Sequence, residues 1–255
     1  MTGRLPEFRV LPAGERGLVV ELGNLISPEV NARVQRLARR INQKNIAGVI
    51  EVVPTYRSLL VYFDPFNVSR SDLVEAIQQM LASEAGLEIA EKEGVRVVHV
   101  PVCYGGEFGP DLDYVAQHNS LSIEEVITIH SSKPYLVYML GFTPGFPYLG
   151  GMSDKIATPR LEKPRAKIPQ GSVGIAGAQT GLYPIESPGG WRLIGRTPLK
   201  PFLPGAANPF LFAAGDYLRF IPISPEEYHH IRRDVEADFF SPDIRTVSLE
   251  DISDD

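Results

Sequence analysis

The chain has 255 residues, of which 44% are hydrophobic and 22% are charged, a composition typical of globular proteins. Its formal net charge of −6 argues against a dedicated nucleic-acid-binding protein, and its single cysteine, Cys103, cannot form an internal disulfide. No Cys/His cluster has zinc-site spacing, the N-terminus lacks a signal-peptide core, and the longest apolar stretch is far shorter than the ~20 residues that span a membrane. We therefore expect a cytoplasmic protein of one large or two modest domains, with no nucleic-acid or membrane partner.

The first hundred residues predict alternating strands and helices. Residues 16–22 (RGLVVEL) have the pattern of a strand, and Ser27-Pro28 supplies an N-cap and a first-turn proline for the helix that follows. The next predicted elements are strands at 49–53 and 58–63, a helix after Ser69 and a strand at 95–100. The order β-α-β-β-α-β predicts a ferredoxin-like α/β domain.

Two short helices are predicted before residue 135, one over 111–118 and one that begins at Ser122, where Glu125 completes a capping box. Residues 141–210 then hold 12 of the 23 glycines and 11 of the 22 prolines, together with several aromatic residues. Short strands separated by such turn residues predict a closed β-barrel. The expected strands are 135–141, 172–176, 191–195 and 216–221.

The chain ends in a predicted helix from Ser224 to about Arg233 and an acidic segment that is either a docking arm or disordered. We accordingly expect an α+β protein with three parts. These are a ferredoxin-like domain (1–94), a β-barrel domain (95–235) and an acidic C-terminal tail (236–255).

Positive charge is concentrated in the region rich in glycine and proline. Residues 141–210 carry eight basic and three acidic side chains, although the chain as a whole is acidic. A basic excess among stiff turns points to a small anionic ligand or an acidic partner surface. A rim of solvated charges would give the same composition.

The sequence lacks a Walker phosphate loop, a dinucleotide-binding glycine motif and a G-x-S-x-G nucleophile elbow. What remains is a set of polar side chains beside prolines and glycines. Arg165, Arg192 and Arg196 are placed to present guanidinium forks to a carboxylate or phosphate, and the spacing of the last two predicts that they share one strand face. Gln170 and Gln179 are candidates to bind the amide edge of a ligand. Trp191 is expected to belong to the barrel core.

Four long motifs give the chain a resemblance to a known family. They are PVCYGGEFGPDLDYVA (101–116), GFTPGFPYLGG (141–151), PRLEKPRAKIPQGSVGIAGAQTGLYPIESPGGWRLIGRTP (159–198) and GDYLRF (215–220). In these motifs the sequence resembles the KipI / allophanate hydrolase subunit 1 family, over nearly its whole length. The resemblance implies a ferredoxin-like N-terminal domain and a cyclophilin-like C-terminal barrel.

The resemblance also implies a function. It suggests one component of a bacterial ATP-dependent 5-oxoprolinase, which opens the lactam 5-oxoproline to L-glutamate with hydrolysis of ATP. Its partners would be the C subunit of that enzyme, from the allophanate hydrolase subunit 2 (KipA) family, and the A subunit, from the LamB/YcsF family. ATP would be a co-substrate at a site shared with a partner, and no metal or prosthetic group is implied. Glu186, between Pro184 and Pro188, is the one candidate for a catalytic base.

Two alternatives stay open within the same resemblance. One is a regulatory protein that inhibits a sporulation histidine kinase, with Phe142, Phe146 and Tyr148 as exposed apolar anchors. The other is a biotin-dependent carboxyltransferase partner acting on a urea-like substrate, although the chain has no biotin-carrier segment of its own.

Overall fold

The computed structural model describes residues 8–83 and 94–253 of the chain. They lie in two compact units that span residues 1–92 and 93–255. Within the described ranges, no helix combines the length and the apolar character needed to cross a membrane.

The first unit is a four-stranded antiparallel sheet with two helices. Its elements are β1 (Arg9–Pro12), β2 (Gly17–Glu21), α1 (Pro28–Lys44), β3 (Val49–Pro54), β4 (Ser58–Phe63) and α2 (Arg70–Ala82). The strand order is β1-β2-β4-β3. Apolar side chains of both helices and of the sheet form one core, which includes Leu37, Leu59 and Ile77. As the sequence predicts, α1 begins with the Ser27 side chain accepting a hydrogen bond from the Val30 amide, and Pro28 lies in its first turn.

The structure corrects the prediction that the strand at 95–100 is the fourth strand of this sheet. The strand that begins at Val95 belongs to the second unit, and the fourth strand of the first unit is β1, which the sequence pattern did not predict. Residues Val97–Val100 are buried. Other strands pair with both edges of this segment, so it is an interior strand of a larger sheet.

The second unit is built around a closed barrel. Its elements are β5 (Val95–Tyr104), α3 (Leu112–His118), α4 (Ile123–Ser131), β6 (Tyr135–Leu140), β7 (Pro147–Gly150), β8 (Arg165–Ile168), β9 (Ser172–Ala176), β10 (Gln179–Leu182), β11 (Ser187–Gly189), β12 (Arg192–Arg196), β13 (Tyr217–Ile223), α5 (Pro225–Glu236) and β14 (Ile244–Val247). Seven strands follow the order β12-β9-β10-β7-β6-β13-β5, and pairing of β12 with β5 closes the ring. The prediction of a closed barrel is confirmed.

Two further strand pairings lie outside the ring. Strand β14 pairs with the first residues of β5, and β8 and β11 form a separate two-stranded ribbon. The predicted capping box of Ser122 and Glu125 at the start of α4 is also confirmed, and a second box at Ser224 begins α5. The Tyr228 ring of α5 packs 4.5 Å from the Phe108 ring, centroid to centroid, which holds this helix on the barrel.

Candidate functional site

Several polar side chains line a pocket of about 370 Å³ in the second unit. The volume lies at the lower end of the range of small-molecule sites. Three turns and helix α5 supply its lining, which consists of Pro169, Gln170, Ile185, Glu186, Arg196, Thr197, Pro198, Leu199, Lys200, Tyr228, Arg232 and Glu236. The structure thus brings together three residues predicted for the site, Gln170, Glu186 and Arg196.

The turn that carries Gln170 is held against the end of β12 by backbone hydrogen bonds. Gly171 donates its amide to the Tyr183 carbonyl at 2.7 Å and accepts from the Thr197 amide at 2.9 Å. Its φ of +81° suits glycine, and a Cβ there would lie 2.4 Å from the Thr197 carbonyl oxygen. Only glycine fits this close approach, and the turn therefore presents Gln170 in a defined position. The Gln170 amide nitrogen donates to the Pro184 carbonyl at 2.8 Å.

Arg196 ends β12 and is one of the residues that line the pocket. Its Nη2 donates weakly to the Glu107 carbonyl at 3.4 Å, and its Cζ lies 5.9 Å from the centroid of the Phe108 ring. Its Nε is buried without a hydrogen-bond partner among the described residues. Glu186, the candidate base, has a side chain that is 58% exposed and an Oε1 that lies 3.1 Å from the Lys167 Nζ. Its surroundings are those of an exposed ion pair.

Helix α5 and the turn after β12 contribute charges that the sequence pattern did not assign to the site. Arg232 donates from Nε to Glu236 Oε1 at 2.8 Å. This hydrogen bond, aided by the charges of Arg232 and Lys200, lowers the pKa of Glu236. The sequence shows the i,i+4 spacing of Arg232 and Glu236, but it does not show on which face of the barrel α5 packs. With Arg196, Lys200 and Arg232 against two carboxylates, the pocket can bind a small anion.

Arg165 does not line this pocket. Both of its terminal nitrogens donate to the Asp111 carboxylate, each at 2.9 Å, and Asp111 Oδ2 also accepts from the Leu193 amide at 2.7 Å. Asp111 is buried. The Arg165 guanidinium, which was predicted to bind a ligand, is therefore occupied by the Asp111 carboxylate. This carboxylate joins β8, β12 and the start of α3.

Arg192 and Arg196 do not share a strand face, so that expectation is wrong. Arg192 pairs with Ile175 and Arg196 with Ser172, because a bulge between Leu193 and Gly195 shifts the register by one residue. The partner residues Ser172 and Ile175 are three apart on β9 and therefore point to opposite faces, and the arginines that pair with them do the same. The Arg192 guanidinium accordingly lies elsewhere, 3.7 Å from the centroid of the Tyr114 ring.

Gln179 begins β10 opposite Ala176 and is not part of the pocket lining. Trp191 is buried, but in an aromatic cluster separate from the barrel core to which it was expected to belong. In this cluster the Phe146 ring lies 5.7 Å from the indole in an edge-to-face arrangement. Burial raises the pKa of the neighbouring Tyr183 to about 12. Phe146 is therefore not an exposed anchor, although Phe142 is 66% exposed.

Throughout the described part of the chain, no group of three or more His, Cys, Asp or Glu side chains is placed to hold a metal ion.

Comparison with known proteins gives a consistent result. The family model described as "Carboxyltransferase domain, subdomain C and D" matches residues 8–212. The chain is 47% identical over 230 residues to the B subunit of 5-oxoprolinase from Bacillus subtilis, covering 87% of this chain and 95% of that protein. It is 41% identical over 209 residues to the protein of the same name from Escherichia coli O157:H7, covering 82% and 93%.

Solved structures agree with this similarity. The chain is 36% identical to TTHA0988 with a TM-score of 0.72; the match covers 82% of this chain and spans only 40% of the TTHA0988 chain. It is 50% identical to PH0987 from Pyrococcus horikoshii with a TM-score of 0.51, covering 86% of this chain and all of that one. The urea amidolyase of K. lactis shares the fold, with a TM-score of 0.74 at 22% identity over 94% of this chain and 16% of that one.

Proposed function

The chain belongs to the carboxyltransferase subdomain C and D family, and from this premise we propose that it is the B subunit of an ATP-dependent 5-oxoprolinase. The 47% identity to the B. subtilis protein, over nearly the full length of that protein, is the observation that carries the proposal. The names of the relatives favour this function over the histidine-kinase inhibitor.

In this proposal the first unit is a ferredoxin-like domain and the second a cyclophilin-like barrel, with boundaries near 1–94 and 95–235 and a C-terminal tail over 236–255. Strand β1, which pairs antiparallel with β2 at the sheet edge, would take the place of the fourth ferredoxin-like strand. The C and A subunits of the enzyme would be the partners, and the protein would work in the cytoplasm.

The 370 Å³ pocket would serve as the anion site of the reaction. Opening a lactam is unfavourable without activation, and transfer of the ATP γ-phosphoryl group to the lactam carbonyl oxygen converts that oxygen into a leaving group. Water then adds at the same carbon, and the ring C–N bond breaks to leave a free amine and an acyl phosphate, which a second water hydrolyses to glutamate and phosphate. Arg196 and Lys200 would hold the substrate carboxylate or the developing phosphate charge, and Gln170 would position the amide. Since the chain has no Walker loop, the ATP site would be shared with a partner.

The experiment is reconstitution. The chain is purified together with the A-subunit and C-subunit homologues of its own organism, and 5-oxoproline-dependent ATP hydrolysis is measured with each component omitted in turn. We expect activity only when all three are present. Full activity without this chain would refute the proposal.

A further inference from the structure

Two neighbouring loops of the second unit expose large apolar side chains. They are residues 141–145 (GFTPG) and 203–210 (LPGAANPF), and neither contains a charged residue. Phe142 is 66% exposed, Leu203 42% and Phe210 44%. We call these two loops the apolar face. A contiguous, uncharged apolar surface of this kind is a candidate interaction site.

The two loops touch, so that the apolar face is continuous. At Gly145 a Cβ would lie 3.3 Å from the Phe202 Cβ and 3.4 Å from the Phe210 Cδ1. The Phe202 and Phe210 rings are stacked with their centroids 5.3 Å apart. On the other side, the Phe142 and Phe146 rings are 5.6 Å apart in an edge-to-face arrangement, which connects the exposed ring to the buried aromatic cluster.

Phe142 occupies a backbone conformation that is costly for its side chain. Its φ is +61°, in the left-handed region that bulky residues avoid. Such strain concentrates at functional sites. In the same loop, the Thr143 Oγ1 is buried without a hydrogen-bond partner among the described residues. Burial of the Phe142 ring does not compensate for the strain, because most of the ring is exposed.

The comparisons indicate that the matching region works together with further polypeptide. In B. subtilis the matching protein is a separate polypeptide named as one subunit of an enzyme, and this chain covers 95% of it. In TTHA0988 the matching region is only 40% of one longer chain. The same region is thus found both alone and joined to further polypeptide, which is the pattern of a unit that works against a second polypeptide supplied in trans or in cis.

We infer that the apolar face is the surface on which the C-subunit homologue docks through a complementary apolar surface of its own. The inference rests on the proposed function, which supplies the partner, and adds the surface and its anchors. The absence of charge in both loops argues against nucleic acid or an anionic membrane as the occupant. Phe142 and Phe210 are the anchors, since aromatic side chains dominate binding hot spots.

The test measures binding of the full-length chain to the purified C-subunit homologue by calorimetry, with melting temperatures for every variant. Phe142→Gly should weaken binding by about tenfold or more while leaving the melting temperature unchanged or higher, since glycine adopts the left-handed conformation without strain. Phe210→Lys should weaken binding similarly. The matched control is Phe66→Lys, which changes an 89% exposed phenylalanine of the first unit and should bind as the wild type does.

The outcomes separate this inference from the proposed function. If the wild type binds and both variants bind equally well, the docking surface is refuted and the proposed function stands. If the wild type does not bind the C-subunit homologue, the proposed function fails and the inference fails with it. If the wild type alone forms a dimer that Phe210→Lys dissociates, the occupant is a second copy of the chain, and the inference is overturned.

Discussion

Arg192 and Arg196 begin and end the same five-residue strand and have different surroundings. Arg196 lines the anion pocket with one long hydrogen bond and an unpartnered Nε, whereas Arg192 stacks on Tyr114 and donates from Nε to the Pro159 carbonyl at 3.2 Å. Arg165, the third arginine of the sequence prediction, is committed to Asp111. Of three guanidinium groups that look equivalent in the sequence, one is therefore available to an anion in the pocket.

This difference gives a matched pair of variants. Arg196→Gln should lower the 5-oxoproline-dependent ATP hydrolysis of the reconstituted complex about tenfold or more, because a charge-assisted hydrogen bond contributes about 1.5–3 kcal/mol. Arg192→Gln makes the same chemical change outside the pocket and should retain activity within about twofold. Melting temperatures of both variants show whether the fold survives. Equal activity of the two variants would contradict the assignment of the pocket.

At the scale of elements, helix α4 is joined to the barrel by a buried polar network. His130 is fully buried, with Nδ1 2.8 Å from the Tyr104 hydroxyl and Nε2 2.7 Å from the Thr180 Oγ1. In the Nε2–H tautomer of the neutral imidazole, the Thr180 hydroxyl accepts from His130 and donates its proton to the Gly174 carbonyl at 3.2 Å. The Tyr104 hydroxyl then donates to Nδ1. Every polar atom of the ring is satisfied in the neutral state.

The network predicts a defined dependence of stability on pH. Burial lowers the pKa of His130 to about 3, so the folded protein keeps this ring neutral. In the unfolded chain the histidine has its ordinary pKa near 6.5 and takes up a proton below that pH. This contribution to the free energy of unfolding is complete above pH 6.5 and falls by about 1.4 kcal/mol per pH unit as the pH drops towards 3.

Urea titrations at pH 7, 6, 5 and 4 test this expectation on the wild type and His130→Gln. The variant is expected to be less stable at pH 7, because glutamine does not fill the ring's place, but its stability should change less between pH 6 and 4. Parallel curves for the two proteins would show that His130 does not cause the loss of stability in acid.

At the scale of the whole second unit, strand β5 is shared between the barrel and the C-terminal segment. Residues Tyr104 and Cys103 pair with β12 to close the ring, whereas the first residues of β5 pair with β14. The His99 amide donates to the Asp243 carbonyl at 2.9 Å at the start of this pairing. Part of the acidic tail thus covers an edge of β5 that would otherwise be left unpaired.

Removal of β14 should lower the stability of the protein. A chain lacking residues 239–255 exposes the backbone donors and acceptors of β5 and should melt about 5 °C or more below the wild type, with a greater tendency to aggregate. A chain lacking only residues 249–255 keeps β14 and serves as the control, with an expected melting temperature close to that of the wild type. Scanning fluorimetry and light scattering measure both effects. Identical melting of both truncations would show that β14 adds no stability.

Local features were predictable from the sequence because they depend on residues close together in the chain. The caps at Ser27, Ser122 and Ser224 are formed with backbone amides three residues ahead, and the dense glycines and prolines of 141–210 indicated the turns of a barrel. The long motifs also identified the family. These inferences needed no knowledge of which distant segments meet.

Only the tertiary structure decided the features that join distant residues. Asp111 and Arg165 are 54 positions apart, and nothing local indicates that one neutralises the other. The bulge in β12 exists only against its partner strand, yet it sends Arg192 and Arg196 to opposite faces. Likewise, β5 could have completed the first sheet by its pattern alone, and α5 contributes Arg232 to the pocket because Tyr228 packs on Phe108. Side chains are brought to a site by strand register and packing, which depend on contacts between segments far apart in the chain.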